Sequence, residues 1–149
     1  MSNYNDMDNM GGLISSMFVF LDEVKNFTHT ANSCSISLKD QSEWKKLKNQ
    51  LEKISVNVSQ KRSDAGTIYE VSGSINLLKS DTNIELLRKG RYILIAYTNV
   101  DQVTKVIGTN EYPLEYTLSP LTPSKHSDFF GWQLSFKGKQ LIEPPIIEI

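Results

Sequence analysis

Residues 54–77 read ISVNVSQKRSDAGTIYEVSGSINL, and the spacing of their apolar side chains indicates the fold class. Apolar side chains recur at every second position on both sides of a central turn. This is the period of a strand with one buried face and one solvent-exposed face. The turn is Ser63-Asp64-Ala65-Gly66, a polar connection with a glycine of the kind that joins antiparallel strands. The stretch therefore predicts a long β-hairpin.

Other segments of the chain have a similar strand character. Residues 91–98 (RYILIAYT) form the most apolar of them, which predicts a central strand. Further strands are predicted at 33–39, 103–108, 113–119 and 132–137. For residues 17–24 the alternatives are a strand and a helical turn, and the density of Phe18, Val19 and Phe20 favours the strand. We expect a mostly β (α+β) fold: an antiparallel β-sandwich or barrel of about eight strands.

Two helices are predicted beside these strands. Residues 41–53 carry an apolar stripe at helical spacing, with lysines off the stripe and with Asp40 and Glu43 placed as a capping box. The stripe consists of Trp44, Leu47, Leu51 and Ile54. A second, short helix is predicted at 83–89. Thr82 and Glu85 are placed to cap its N-terminus, and Gly90 ends it.

The domain organisation follows from changes in composition. The chain has 149 residues, which suits a single domain. Residues 1–16 are polar and have little to bury, so they predict a flexible N-terminal arm. Residues 17–140 form the β-rich domain. Residues 141–149 form a tail in which Pro144-Pro145 argues against regular strand pairing.

Charge and hydropathy exclude several classes of partner. Lys and Arg number 16 against 17 Asp and Glu, a net charge of −1, so contact with nucleic acid is possible but not indicated. The longest apolar runs are far shorter than the ~20 residues of a membrane-spanning helix. The start of the chain lacks the basic character of a secretory signal. We therefore expect no membrane partner, and a reducing compartment.

The chain contains no recognisable catalytic, cofactor-binding or metal-binding pattern. Cys34 is the single cysteine, and it shares a predicted strand face with Ile36 and Leu38, as a buried thiol would. His29 and His126 have no second ligand at metal-binding spacing. We expect the protein not to be an enzyme, to use no cofactor and to act on no small-molecule substrate.

Apolar residues in one loop and in the tail are instead candidates for contacts between subunits. Phe129 and Phe130 are adjacent, so one of them is hard to bury within a single domain. The tail carries large aliphatic residues at a chain end, where a neighbouring subunit could cover them. These tail candidates are Leu141, Ile142, Ile146, Ile147 and Ile149. The alternative for the tail is that it folds back on its own sheet.

The second half of the chain carries a more specific pattern. In order it contains TIYE from Thr67, ELLRKGR from Glu85, VIGT from Val106, YPL from Tyr112 and GWQLSFKG from Gly131. Over roughly residues 53–140 this order resembles small structural proteins of tailed phages and prophages of gut Bacteroidales, including crAss-like phages. The resemblance implies a virion component, such as a neck or tail ring or an adaptor. It implies no active-site residue.

The favoured interpretation is therefore a non-enzymatic structural virion protein, a neck or tail ring, adaptor or tail-tube-like subunit. It would assemble in the host cytoplasm with copies of itself and with other virion proteins. The alternative is a β module that binds peptide or carbohydrate through the loop at 120–131. An enzyme with a site assembled from scattered residues is a third, less favoured hypothesis.

Overall fold

A computed structural model describes residues 13–30, 32–78, 81–121 and 131–147 of the chain. This part is mostly β, as the sequence predicts, with one α-helix, α1 (Asn83–Lys89), and one 3-10 helix (Leu21–Glu23). The first strands are β1 (Leu13–Phe20), β2 (Val24–His29), β3 (Ser33–Leu38), β4 (Lys45–Lys46), β5 (Asn49–Ser63) and β6 (Gly66–Leu78). The remaining strands are β7 (Tyr92–Asn99), β8 (Thr104–Ile107), β9 (Leu114–Leu121), β10 (Gly131–Gln140) and β11 (Ile146–Ile147).

Strand β7 lies at the centre of the sheet, as its apolar sequence predicts. It pairs with β1 along one edge, and with β8 and β9 in succession along the other. From β7 one branch runs through β9, β10, β6 and β5, and the other runs through β8, β11, β3 and β2. All pairs are antiparallel except β3–β11. The sheet is not closed into a barrel.

Two apolar cores form on the two faces of β7. Ile93, Ile95 and Tyr97 point into the inner core, while Leu94 and Ala96 point into the outer core. The inner core is completed mainly by β5, β6, β9, β10 and α1. The outer core is covered by the β2–β3 hairpin and by the tail. Burial on both faces explains why the sequence of β7 is continuously apolar rather than alternating.

The predicted helix at 41–53 is wrong, because β4 and the start of β5 occupy this segment. Gln41 has a positive φ of 66°, which belongs to a turn. Trp44 packs half-buried on the outer core, whereas Leu47 and Ile54 are buried in the inner core. The apolar stripe is therefore divided between the two cores.

Neighbouring strands explain why this segment is extended. Leu47 N–H donates to Ser16 O at 3.0 Å, and Leu78 N–H donates to Lys48 O at 2.9 Å. Residues 45–48 thus bond to β1 on one side and to β6 on the other, and β5 continues from Asn49 as the neighbour of β6. Ladder bonds and burial on two cores outweigh the helix propensity of a lysine-rich segment, which is worth only tenths of a kcal/mol per residue.

The short helix at 83–89 is confirmed, but its start differs from the prediction. Thr82 makes no side-chain capping bond. Asp81 acts instead: its Oδ1 accepts from Asn83 N–H at 2.9 Å, and its Oδ2 accepts from Lys48 N–H at 2.8 Å. The carboxylate therefore links the start of α1 to the start of β5.

Within the described ranges the strands number eleven rather than about eight, and β1 accounts for one further correction. It begins at Leu13, inside the predicted arm of residues 1–16, and Ser16 is buried. The arm prediction does not hold for residues 13–16. Residues 1–12 lie outside the described part.

Candidate assembly surfaces

The predicted interface residues fall in different places. Phe129, Phe130 and Ile149 lie outside the described residues, as do positions 122–130 of the loop proposed as a ligand mouth. The other tail candidates are placed: Leu141 and Ile146 are exposed, Ile142 is half-buried and Ile147 is buried in the outer core. The structure does not bring these tail residues together as one exposed patch.

The tail folds back on its own sheet, so the expectation that Pro144-Pro145 prevents strand pairing is wrong. β11 lies between β3 and β8: Ile146 N–H donates to Asn32 O at 2.9 Å, and Val106 N–H donates to Pro145 O at 3.0 Å. Pro145 takes part through its carbonyl, which proline retains, and needs no donor. The buried Ile147 is thus core rather than a candidate interface residue.

Gln140, at the end of β10, holds the beginning of the tail. Its side chain is almost completely buried. The Oε1 atom accepts from Gly108 N–H at 2.9 Å, and the Nε2 atom donates to Ile142 O at 2.7 Å. The side-chain amide of Gln140 therefore joins the β8–β9 connection to the start of the tail, which continues to β11 between β3 and β8.

The hairpin formed by β5 and β6 extends past the body of the domain. β10 pairs with β6 only as far as Tyr69, so residues 66–68 are bonded to β5 alone. Every residue from 57 to 66 is exposed. β5 stands at the end of the sheet order, and across residues 54–63 the described structure places no strand on its outer edge.

The hairpin turn determines which backbone groups face this open edge. Asp64 and Ala65 form a two-residue turn closed by the pair Ser63 and Gly66. The closing pair of such a turn is hydrogen-bonded, and bonded and non-bonded pairs then alternate along an antiparallel ladder. The N–H and C=O groups of even-numbered residues therefore point outward at the edge. These residues are Ile54, Val56, Val58, Gln60 and Arg62.

An apolar row of side chains ends at the open edge. Val71 on β6 is buried in the inner core, and Val58 lies directly opposite it on β5. Cross-strand partners point to the same face, so Val58 extends the core side of the sheet. With no neighbour beyond it, Val58 is 42% exposed. A strand added to the edge would cover it.

The middle of this edge lacks the usual protection against pairing. Edge strands are commonly guarded by charges, prolines or bulges. Residues 54–60 contain none of these: the register shift lies before Ile54, and the first charge is Lys61, which pairs with Glu70 at 3.0 Å. The stretch is a ready template for another strand. Sequence reasoning found the hairpin but not this site, because alternation does not reveal which strand ends a sheet.

A second surface surrounds Tyr92, which lines two adjoining grooves of about 520 and 680 Å³. Exposed Leu86 lines the first groove, and exposed Tyr112 lines the second. Acidic and basic side chains are mixed around both grooves. The apolar centre suits contact with another chain, while the mixed charges select no particular partner.

Cys34 and His29 lie opposite each other on the paired strands β3 and β2, and burial, rather than the imidazole, shifts the pKa of the thiol. Burial raises the pKa of the Cys34 thiol to about 11, so the nucleophilic thiolate is scarce near neutral pH. His29 is exposed; its Nδ1 atom lies 3.4 Å from Thr30 O, and its ring lies beside that of Phe27, with the ring centroids 6.2 Å apart. Among the described residues no three His, Cys, Asp or Glu side chains are grouped as metal ligands. His126 lies outside these residues.

No helix within the described ranges is long and apolar enough to cross a membrane. Comparison with known proteins found no match of this chain to any protein-family profile, curated protein or solved structure.

Proposed function

We propose that this chain is a non-enzymatic structural protein that assembles through protein–protein contacts, as a neck or tail ring, adaptor or tail-tube-like subunit of a tailed-phage particle. The particle assignment rests on the sequence resemblance over residues 53–140. Assembly is supported by the open, unguarded edge of β5, and this is the observation that carries the proposal.

An exposed edge of this kind favours association over isolation. Five successive outward-facing residues each offer a backbone donor and an acceptor, and an added strand satisfies them without any special side chain. Water satisfies the same groups in an isolated subunit, so backbone bonds alone contribute modestly. Covering Val58 adds an apolar gain in proportion to the area removed from water. The partners proposed are copies of this chain and other structural proteins of the particle.

The non-enzymatic part of the proposal is supported by the state of the candidate nucleophile. A thiol with a raised pKa needs a base to activate it. Cys34 lies on the face of β3 that packs against the outer core, half-buried among apolar neighbours. Such an environment favours the neutral thiol over the thiolate.

The assembly proposal is tested by removing one donor from the edge. Gln60→Pro deletes an outward N–H and leaves the bonds between β5 and β6 in place, because this N–H does not face β6. Gln60→Ala is the matched control, since it removes the same side chain and keeps the donor. Light scattering coupled to gel filtration should show oligomers for the wild type and Gln60→Ala, and monomers for Gln60→Pro.

A wild type that stays monomeric at high concentration, or a Gln60→Pro variant that assembles like the wild type, would overturn assembly through this edge. Circular dichroism of each variant establishes that it is folded. The particle assignment has a separate test: mass spectrometry of purified phage particles from the source of this sequence should detect the chain as a component.

A further inference from the structure

We infer that the partner on the β5 edge is β5 of a second copy, paired antiparallel about a two-fold axis at Val58. This inference rests on the proposed function and names the partner and register of its assembly contact. It follows from the apolar row, the length of the edge and the positions of its charges.

The apolar row explains why Val58 is the centre. The row runs from buried Val71 to exposed Val58 and stops at the open edge. A two-fold axis at Val58 places the same valine of the second copy directly against it. The row then continues as Val71, Val58, Val58 and Val71 across both subunits. Apolar cross-strand pairs of this kind stabilise a sheet through direct side-chain contact.

The length of the edge favours the same centre. The regular part of the edge runs from residue 54 to residue 63, with its midpoint between Val58 and Ser59. An axis at Val58 lies half a residue from this midpoint and pairs residues 54–62 of one copy with residues 54–62 of the other. Even-numbered residues then meet even-numbered residues, so the outward donors of one strand face the outward acceptors of the other.

The charges exclude a centre at either basic residue near the turn. An axis at Lys61 or Arg62 would set like charges directly opposite each other, which destabilises a sheet. With the axis at Val58, Lys61 faces Ser55 of the second copy and Arg62 faces Ile54. On the core-facing side, Val56 meets Gln60. This register therefore opposes no two like charges.

The other end of the sheet is a poorer partner for β5. β2 also pairs with one neighbour only within the described residues, but it is six residues long and carries Lys25 on its exposed side. Six residues would cover only part of the β5 edge at 54–63. A two-fold contact closes on itself, so a ring would need a second, different contact.

The test uses opposite charges at the proposed axis. Val58→Lys places two ammonium groups against each other in the dimer, and Val58→Glu places two carboxylates there. Each variant alone should lose the dimer and elute at the monomer mass. A 1:1 mixture should recover the dimer mass, because lysine then faces glutamate across the axis.

Asn57→Lys and Asn57→Glu are the matched controls. Asn57 is exposed on the opposite face of β5, and the proposed register sets it against Ser59 of the second copy. Both controls should therefore assemble alone as the wild type does. Val58 is already partly exposed on its own subunit, so the charged variants should remain folded, as circular dichroism would establish.

A measurement on the wild type avoids substitution altogether. Hydrogen exchange at high and low protein concentration should protect the amides of Val56, Val58 and Gln60 only in the assembled state. The two-fold contact is overturned if these amides exchange alike at both concentrations, or if the mixture of charged variants stays monomeric. If Gln60→Pro dissociates the oligomer while the Val58 variants still assemble singly, edge assembly stands and the axis at Val58 is wrong.

Discussion

The side-chain oxygen of Gln140 accepts a hydrogen bond from the backbone N–H of Gly108 at 2.9 Å, in a buried position. These residues are 32 positions apart in sequence. The bond joins the last residue of β10 to the residue that follows β8. Because the same amide holds Ile142 O, the start of the tail depends on it.

Replacing Gln140 by Leu should therefore destabilise the fold. Leu keeps much of the volume but leaves a buried N–H without an acceptor, which costs about 1–3 kcal/mol. Urea unfolding would measure this loss. Gln133→Leu in the same strand is the control: its amide is only half-buried and its contact with Asn76 is long, at 3.5 Å, so its loss should be smaller. Equal losses would contradict a special role for Gln140.

Alanine at two adjacent tail positions should separate core from surface. Ile147 is 5% exposed and Ile146 is 41% exposed. Ile147→Ala should lower the free energy of unfolding by ~2–5 kcal/mol, as expected for a buried aliphatic side chain. Ile146→Ala should change it by less than ~0.5 kcal/mol. If instead Ile147→Ala left stability intact and weakened oligomers, the tail would be an interface after all.

Removing the carboxylate of Asp81, which links α1 to the start of β5, should lower the free energy of unfolding. Asp81→Ala leaves two backbone donors without their acceptor, those of Lys48 and Asn83. Thermal unfolding should show a loss of about 1–3 kcal/mol. Asp101→Ala supplies the comparison, since exposed Asp101 accepts only from Val103 N–H in a turn. A loss at Asp101 as large as that at Asp81 would contradict this account.

The raised pKa of Cys34 predicts how the thiol reacts and how stability depends on pH. The folded pKa of about 11 lies above the ordinary value of 9.0 because burial disfavours the thiolate. Between these values the unfolded chain loses the proton while the folded chain keeps it, so this group lowers stability as pH rises from 9 toward 11. Alkylation by iodoacetamide, followed against pH, should show a midpoint near 11 when folded and near 9 in urea. Coincident midpoints would show that Cys34 is freely solvated.

The sequence alone was sufficient to predict the strand-rich fold class, the β5–β6 hairpin and the central position of β7. Each depends on a local pattern: alternation around the two-residue turn at Asp64 and Ala65, and an unbroken apolar run at 93–97. Side-chain period and turn chemistry act within a few residues, so they can be recognised before any distant contact forms. The short helix at 83–89 was recognised on the same basis.

Contacts between distant parts of the chain determine the extended conformation of residues 41–53, the path of the tail and the exposure of the β5 edge. Trp44, Leu47 and Ile54 have helical spacing, yet they serve two different cores because β1 and β6 supply ladder partners from distant parts of the chain. Ile147 is buried only because the tail pairs with β3 on one side and with β8 on the other. Val58 is exposed only because β5 is last in the sheet. Strand order is set by contacts between residues far apart in sequence, and local periodicity carries no information about those contacts.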